Sequence, residues 1–227
     1  MQLFTTQGRF MTFLQKIRCL LTFGQGVALP LPTISENTDP LQLFSQWFED
    51  AQKSGVVLPE SMSVSSCDAQ GQPSSRMVLL KDHDQQGFVF YTNYHSRKSQ
   101  ELEHNNKVAL LFHWNVLQRQ VRIEGEVEKV AADKSAAYFQ SRDRGSQIGA
   151  WASRQSEKIT KTDQLSQAFQ QLNDKFADQQ VPYPKFWGGW RVKPKHIEFW
   201  QGRASRLHDR ICFEKHNQQW HQYKLQP

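Results

Sequence analysis

Near the C-terminus the chain reads Trp200-Gln201-Gly202-Arg203-Ala204-Ser205-Arg206-Leu207-His208-Asp209-Arg210, so three arginines, a histidine and an aspartate fall within eleven residues of a β-rich stretch. Alternation along a strand sends Arg206, His208 and Arg210 to one face and Leu207 and Asp209 to the other. Two guanidinium forks and an imidazole on one patch suit an anion, with Asp209 as a structural partner rather than a catalytic acid. The plainer reading is a solvated strand face balanced by nearby carboxylates.

Other clusters favour the first reading. Ser96-Arg97-Lys98-Ser99 opens a short helix directly after an apolar strand. Two cations in a first helical turn oppose the macrodipole at about 0.3–1 kcal/mol each, and a phosphate bound there removes the conflict. Upstream, Arg76-Met77-Val78-Leu79-Leu80-Lys81 places a cation at each end of a strand, with Arg76, Val78 and Leu80 on one face. Tyr138 and Arg142 lie four apart on a helix and Ser146 follows at the Gly145 loop, a phenol, guanidinium and hydroxyl able to hold a second phosphate. Gln147-Ile148-Gly149-Ala150-Trp151 and Arg154-Gln155-Ser156 add amide and hydroxyl donors of the kind that read a heterocycle's edge.

The elements that must position these groups follow from periodicity. Asp39 caps a helix with Pro40 at its first position, and Leu41, Phe44, Phe48 and Ala51 make its core stripe before Gly55. Strands are expected at 62–67, 76–81, 88–92, 108–114 and 120–130, with turns at 68–71 and 84–87. Helices are expected at 133–141 and 156–176, the second with a stripe of Leu165, Phe169, Leu172 and Phe176. Strands return at 190–200, 207–214 and 220–225. The pattern is α+β and mainly β, one antiparallel barrel with flanking helices over 39–227, preceded by a partly ordered arm over 1–38.

With 227 residues, 38% hydrophobic and 12% aromatic, the chain can bury a full core. Cys19, Cys67 and Cys212 are odd in number and dispersed, which fits a reducing cytoplasm and argues against a disulfide framework or a zinc site. No apolar run is long enough to span a membrane. The net charge of +6 admits nucleic acid, but the arginines sit in short polar clusters rather than tails, so a small phosphorylated ligand is favoured.

Taken together, Arg76 with Lys81, Tyr91-Thr92, Arg97-Lys98, Gln120, Tyr138 with Arg142 and Ser146, Gln155-Ser156 and the run 200–210 resemble the pyridoxine/pyridoxamine 5′-phosphate oxidase family. The resemblance covers 39–227, and its most specific motifs are Arg-Met-Val-Leu-Leu-Lys, Ser-Gln-Ile-Gly-Ala-Trp, Phe-Trp-Gly-Gly and Arg-Leu-His-Asp-Arg. It implies an FMN-binding split β-barrel, antiparallel and Greek-key-like, working as a homodimer with FMN between subunits. By matched position it implies FMN contacts at Arg76, Met77, Val78, Leu79, Leu80, Lys81, Tyr91, Thr92, Arg97, Lys98, Gln120, Gln155, Ser156, Trp200 and Arg210. The substrate set is Lys81, Tyr138, Arg142, Ser146, Arg206 and His208, with Arg206 and His208 at the reacting end.

The implied reaction oxidises pyridoxamine or pyridoxine 5′-phosphate to pyridoxal 5′-phosphate and passes the electrons to O2, giving H2O2. One departure stands out: the family's arm carries a basic-and-tyrosine motif over the substrate, whereas Ile17-Arg18-Cys19-Leu20-Leu21-Thr22-Phe23 lacks the tyrosine. Two other readings remain open at this level. A split-barrel reductase would keep the FMN set without needing Tyr138, Arg142, Ser146, Arg206 and His208, and a non-catalytic binder of pyridoxal phosphate or nucleic acid would bind without consuming oxygen.

Overall fold

The computed structural model describes residues 34, 35 and 38–227. The arm expected over 1–38, with Arg18 and Cys19, lies almost wholly outside them. Helix α1, Pro40–Lys53, starts as the cap predicts: Asp39 Oδ1 accepts from the N–H groups of Leu41 at 2.7 Å and Gln42 at 3.3 Å. These bonds satisfy two of the donors that a helix start leaves unpaired.

Strands β1 (Ser61–Cys67), β2 (Pro73–Leu79), β3 (Asp82–Asp84) and β4 (Gly87–Asn93) lead into helix α2 (Arg97–His104). Strands β5 (Lys107–Trp114) and β6 (Arg119–Lys129) precede helices α3 (Ala132–Gln140), α4 (Arg144–Ala152) and α5 (Gln164–Lys175). The chain closes with β7 (Trp187–Gln201), β8 (Asp209–His216) and β9 (Gln219–Lys224). The sheet runs in the order β2-β1-β5-β6-β7-β4-β3, with β8 paired to β7 and β9. Pairing is antiparallel between β1 and both β2 and β5, between β4 and both β3 and β7, and between β8 and β9.

The described chain divides into two compact units, and β5, β6 and β7 contribute residues to both. The first contains α1, 112–121 and 198–227. Its core is aromatic: Phe44 meets Phe112 with centroids 5.1 Å apart, and Trp47 packs edge-on against Phe199 at 5.1 Å. Beside them Arg119 is 1% exposed, its guanidinium 4.5 Å over the Trp47 ring, bonded to Gln201 Oε1 at 2.9 Å and Asp50 Oδ2 at 2.7 Å. A charge buried this deeply persists only when paired and hydrogen-bonded.

The second unit contains 60–111 and 122–197. On β7, opposite β4, Gly188 and Gly189 are required by close approach. A Cβ on Gly188 would sit 2.2 Å from the Tyr94 hydroxyl oxygen, and one on Gly189 2.9 Å from Tyr91 Cε1. The Phe-Trp-Gly-Gly motif therefore lets two tyrosines lie against the sheet.

Three local expectations are corrected. The helix expected over 156–176 is the shorter α5, and Leu165 and Phe169 on it are exposed; the buried end is Phe176. Ser156 adopts a positive φ of 75°, and the polar, β-branched stretch that follows has low helical preference, so the helix starts only after Asp163. Ser146, expected in the loop at Gly145, lies on α4, whose N-cap Asp143 accepts from the Ser146 N–H at 2.8 Å. Finally, 206–208 is not strand: Ala204–Arg206 is a 3₁₀ turn with Ser205 and Arg206 at φ of 57° and 61°, and β8 begins at Asp209. Two-residue alternation therefore does not align Arg206, His208 and Arg210 on one strand face.

Candidate active site

Within the second unit, α2 starts beside the end of β4. The Ser96 hydroxyl donates to the Asn93 carbonyl at 2.7 Å instead of capping its own helix. The first helical N–H, on Arg97, donates to Ser156 Oγ at 3.1 Å. Lys98 is 8% exposed; its ammonium donates to Thr92 Oγ1 at 2.7 Å, Ser96 Oγ at 3.1 Å and Gln155 Oε1 at 3.0 Å. Among the described residues no carboxylate pairs with it. Burial first, and then the positive charge of Arg76, pulls Lys98 down to about 8. A buried ammonium served only by neutral oxygens at a helix start has the charge and placement to take an anion.

Arg76 reaches the same region from β2. Its guanidinium donates to the Val64 and Ser74 carbonyls at 3.1 and 3.2 Å, and to Glu101 Oε2 at 3.2 Å. Arg97 Nε lies 2.7 Å from Glu101 Oε1. Along the rest of β2, Met77 is exposed and Val78 and Leu79 are half-buried, and Leu80 just beyond the strand is buried. Lys81 follows half-buried, its backbone fixed by an N–H bond to the Val89 carbonyl at 2.8 Å.

A second group in this unit is aromatic. Tyr91 stacks on Tyr138 with centroids 4.0 Å apart and on Trp187 at 5.4 Å. Arg142 lies 4.8 Å over the Trp187 ring, and its Nη1 is buried without a hydrogen-bond partner. Burial pushes Tyr91 up to about 12 and raises Tyr138 as well, so both phenols keep their protons at working pH. A buried guanidinium nitrogen without an acceptor costs free energy until an anion supplies one. Ser146, half-buried on α4, donates its N–H to Asp143, the residue next to Arg142 in the chain.

In the first unit, Gln120 is half-buried on β6. The Trp200 ring lies 4.6 Å from that of His208. The Arg203 N–H donates to His208 Nδ1 at 3.2 Å. That bond makes Nδ1 an acceptor, so the imidazole carries its proton on Nε2. Arg203 Nε bonds Asp209 Oδ2 at 2.6 Å, which gives Asp209 the structural role expected of it. Arg210 is held by both carboxylate oxygens of Glu198, at 2.8 and 3.1 Å, and by the Gln226 carbonyl at 3.0 Å. Arg206 is exposed.

Sequence reading missed Glu101, Glu198 and the stacking role of Trp187. Glu101 was legible as an i,i+4 partner of Arg97. Glu198 had no local signal, since its pairing with Arg210 crosses from one strand to the next.

The family model described as pyridoxamine 5′-phosphate oxidase matches residues 48–176, and that of the pyridoxine 5′-phosphate oxidase C-terminal dimerisation region matches 187–227. The chain belongs to the pyridoxine/pyridoxamine 5′-phosphate oxidase family. The oxidase of that name from Colwellia psychrerythraea is 68% identical over 96% of this chain and 100% of its own length, and that from Psychromonas ingrahamii is 53% identical with the same coverage. Among solved structures, PhzG from Burkholderia lata, crystallised with tetrahydrophenazine-1-carboxylic acid, superposes with a TM-score of 0.84 at 25% identity, covering 89% of this chain and 100% of that one. A pyridoxamine 5′-phosphate oxidase-related, FMN binding protein from Nostoc punctiforme gives 0.70 at 12% identity, covering 84% of this chain and 100% of its own, a likeness of fold alone. The mainly-β split-barrel fold of this oxidase family is thus the fold of the chain.

Proposed function

We propose that the protein oxidises pyridoxamine 5′-phosphate and pyridoxine 5′-phosphate at the 4′ carbon to pyridoxal 5′-phosphate, with FMN as cofactor and O2 as electron acceptor. The amine substrate yields ammonia after hydrolysis, and both substrates yield H2O2. The observation that carries the cofactor reading is Lys98, a buried ammonium surrounded by Thr92, Ser96 and Gln155 and lacking a carboxylate among the described residues. That donor set fits the phosphate of FMN. Bound there, FMN supplies the two-electron acceptor that no amino-acid side chain offers.

In this reading Lys98 and Arg97 hold the cofactor phosphate, with Arg76 behind them and Thr92, Gln155 and Ser156 completing the polar wall. The backbone over Met77, Val78, Leu79 and Leu80, at the end of β2 and just past it, is assigned with Tyr91 to the flavin by matched position, as are Gln120, Trp200 and Arg210. Arg142 takes the vitamer's phosphate on its unpartnered Nη1, with Tyr138 and Ser146 as further donors and Lys81 as a cation toward the same substrate. Arg206 and His208 are assigned to the reacting end. The bond from Arg203 to Nδ1 supports His208 as a hydrogen-bond donor through Nε2 rather than as a base.

Two copies are proposed to act together, supported by the match of 187–227 to a dimerisation region. A cytoplasmic location is supported by the three dispersed cysteines. No helix among the described residues is long and apolar enough to cross a membrane. The residues 39–227 are read as one oxidase domain.

The cofactor half of the proposal is tested by titrating purified protein with FMN. Flavin absorbance that co-elutes with the protein supports it, and protein that stays colourless after FMN is added refutes it.

A further inference from the structure

The carboxylate of Glu101 lies behind the proposed phosphate grip, with its side chain 4% exposed. Ser66 Oγ donates to its Oε2 at 2.5 Å, Ser74 Oγ donates to the same oxygen at 2.6 Å, and Arg97 Nε occupies Oε1 at 2.7 Å. The two hydroxyls also accept from Arg76, Ser66 at 2.6 Å from Nη1 and Ser74 at 2.5 Å from Nη2. Protons thus run in one direction, from the guanidinium through two serines to the carboxylate, and Arg76 Nη2 touches Glu101 directly at 3.2 Å. One buried anion ties together β1, β2 and the first turn of α2.

Burial alone would raise a glutamate. Here the hydroxyls of Ser66 and Ser74, the Arg97 bond and the charge of Arg76 outweigh it and hold Glu101 at about 2, so it is ionised at every working pH. Arg76, Arg97 and Lys98 would repel one another if left alone on this face. The carboxylate offsets one of the three charges and leaves two, the charge of a phosphate dianion.

We propose that Glu101 is a positioning residue for cofactor binding: it fixes Arg76 and Arg97 in the geometry that grips a phosphate and so sets the preference for FMN over unphosphorylated riboflavin. The inference rests on the FMN reading given above. Two other roles predict different results. A purely structural glutamate would serve both flavins equally. A carboxylate acting only as a competing anion would, once neutralised, strengthen phosphate binding.

The test is Glu101→Gln in the full chain, with the dissociation constants of FMN and riboflavin measured by flavin fluorescence quenching. Glutamine keeps the shape and an oxygen for the two serines but loses the charge that holds Arg97. FMN should bind about tenfold or more weakly, with riboflavin within about twofold of the unchanged protein. Equal weakening of both flavins, no change in either, or tighter FMN overturns the proposal. Should the variant fail to fold, Ser74→Ala, which removes one bridge between Arg76 and Glu101, must still lower the FMN-to-riboflavin preference by about two- to fivefold, and an unchanged preference overturns it. Unchanged protein that binds no FMN defeats the underlying cofactor reading, a result separate from all of these.

Discussion

Lys98 Nζ donates to Thr92 Oγ1 at 2.7 Å, so a buried ammonium is paired with a neutral hydroxyl where a carboxylate would ordinarily be found. On the proposal that the start of α2 takes a phosphate, that pairing gives binding there a pH dependence. In the ligand-free protein Lys98 loses its proton above about 8, whereas in the unfolded chain it keeps it up to 10.5. The unfolded state therefore binds more protons between those values, and the ligand-free fold gains stability as pH rises through that window. A bound phosphate holds the proton on Lys98, so FMN affinity should fall over the same window. Titrations at pH 7, 8, 9 and 10 check this, and Lys98→Gln should bind FMN about 10–100-fold more weakly with the slope above pH 8 abolished.

Arg142 in the aromatic group goes further than Lys98, with a buried Nη1 that has no acceptor. Replacing it by methionine removes an unsatisfied polar group as well as the proposed phosphate contact. Arg142→Met should raise the KM for pyridoxamine 5′-phosphate by about tenfold or more while the thermal midpoint stays level or rises. Oxygen-electrode kinetics and a melting curve read the two effects separately.

Gly189 faces Tyr91 across the β4–β7 pair, and a methyl group there would press on the ring that stacks with Tyr138. Gly189→Ala should cost about 1–3 kcal/mol of stability and should weaken substrate binding through the displaced stack. Urea unfolding and the KM of the vitamer measure each part.

In the first unit, Arg119 is enclosed by Trp47, Gln201 and Asp50. Arg119→Ala should lower stability by about 3–5 kcal/mol, through the cavity it opens and the bonds that Gln201 and Asp50 lose. Arg119→Met should recover part of that loss, because it refills the volume without the charge. Chemical denaturation of both variants distinguishes packing from pairing.

Much of this architecture was legible in the sequence because its signals are local. Asp39 with Pro40 marked α1, alternation marked β6, and Ser96-Arg97-Lys98-Ser99 marked the start of α2. What stayed hidden depended on partners distant along the chain. Leu165 and Phe169 have helical spacing, yet spacing cannot say whether a neighbour covers that face, and they are exposed. The glycine-containing α4 has weak intrinsic preference for helix, and its one clear cue was the Asp143 cap. Ser205 and Arg206 take left-handed backbone, which no residue type there announces, so the strand expected from 207 starts at Asp209. Glu101 and Glu198 each hold an arginine that looked free for a ligand when read from sequence alone.

Oxidation of a phosphorylated B6 vitamer through FMN is measured most directly by adding pyridoxamine 5′-phosphate, and then pyridoxine 5′-phosphate, to the FMN-loaded protein in an oxygen electrode with peroxide detection. Oxygen uptake should be matched one-to-one by H2O2, with an aldehyde product absorbing as pyridoxal 5′-phosphate. An FMN-loaded protein that consumes no oxygen with either vitamer would contradict the proposed oxidation.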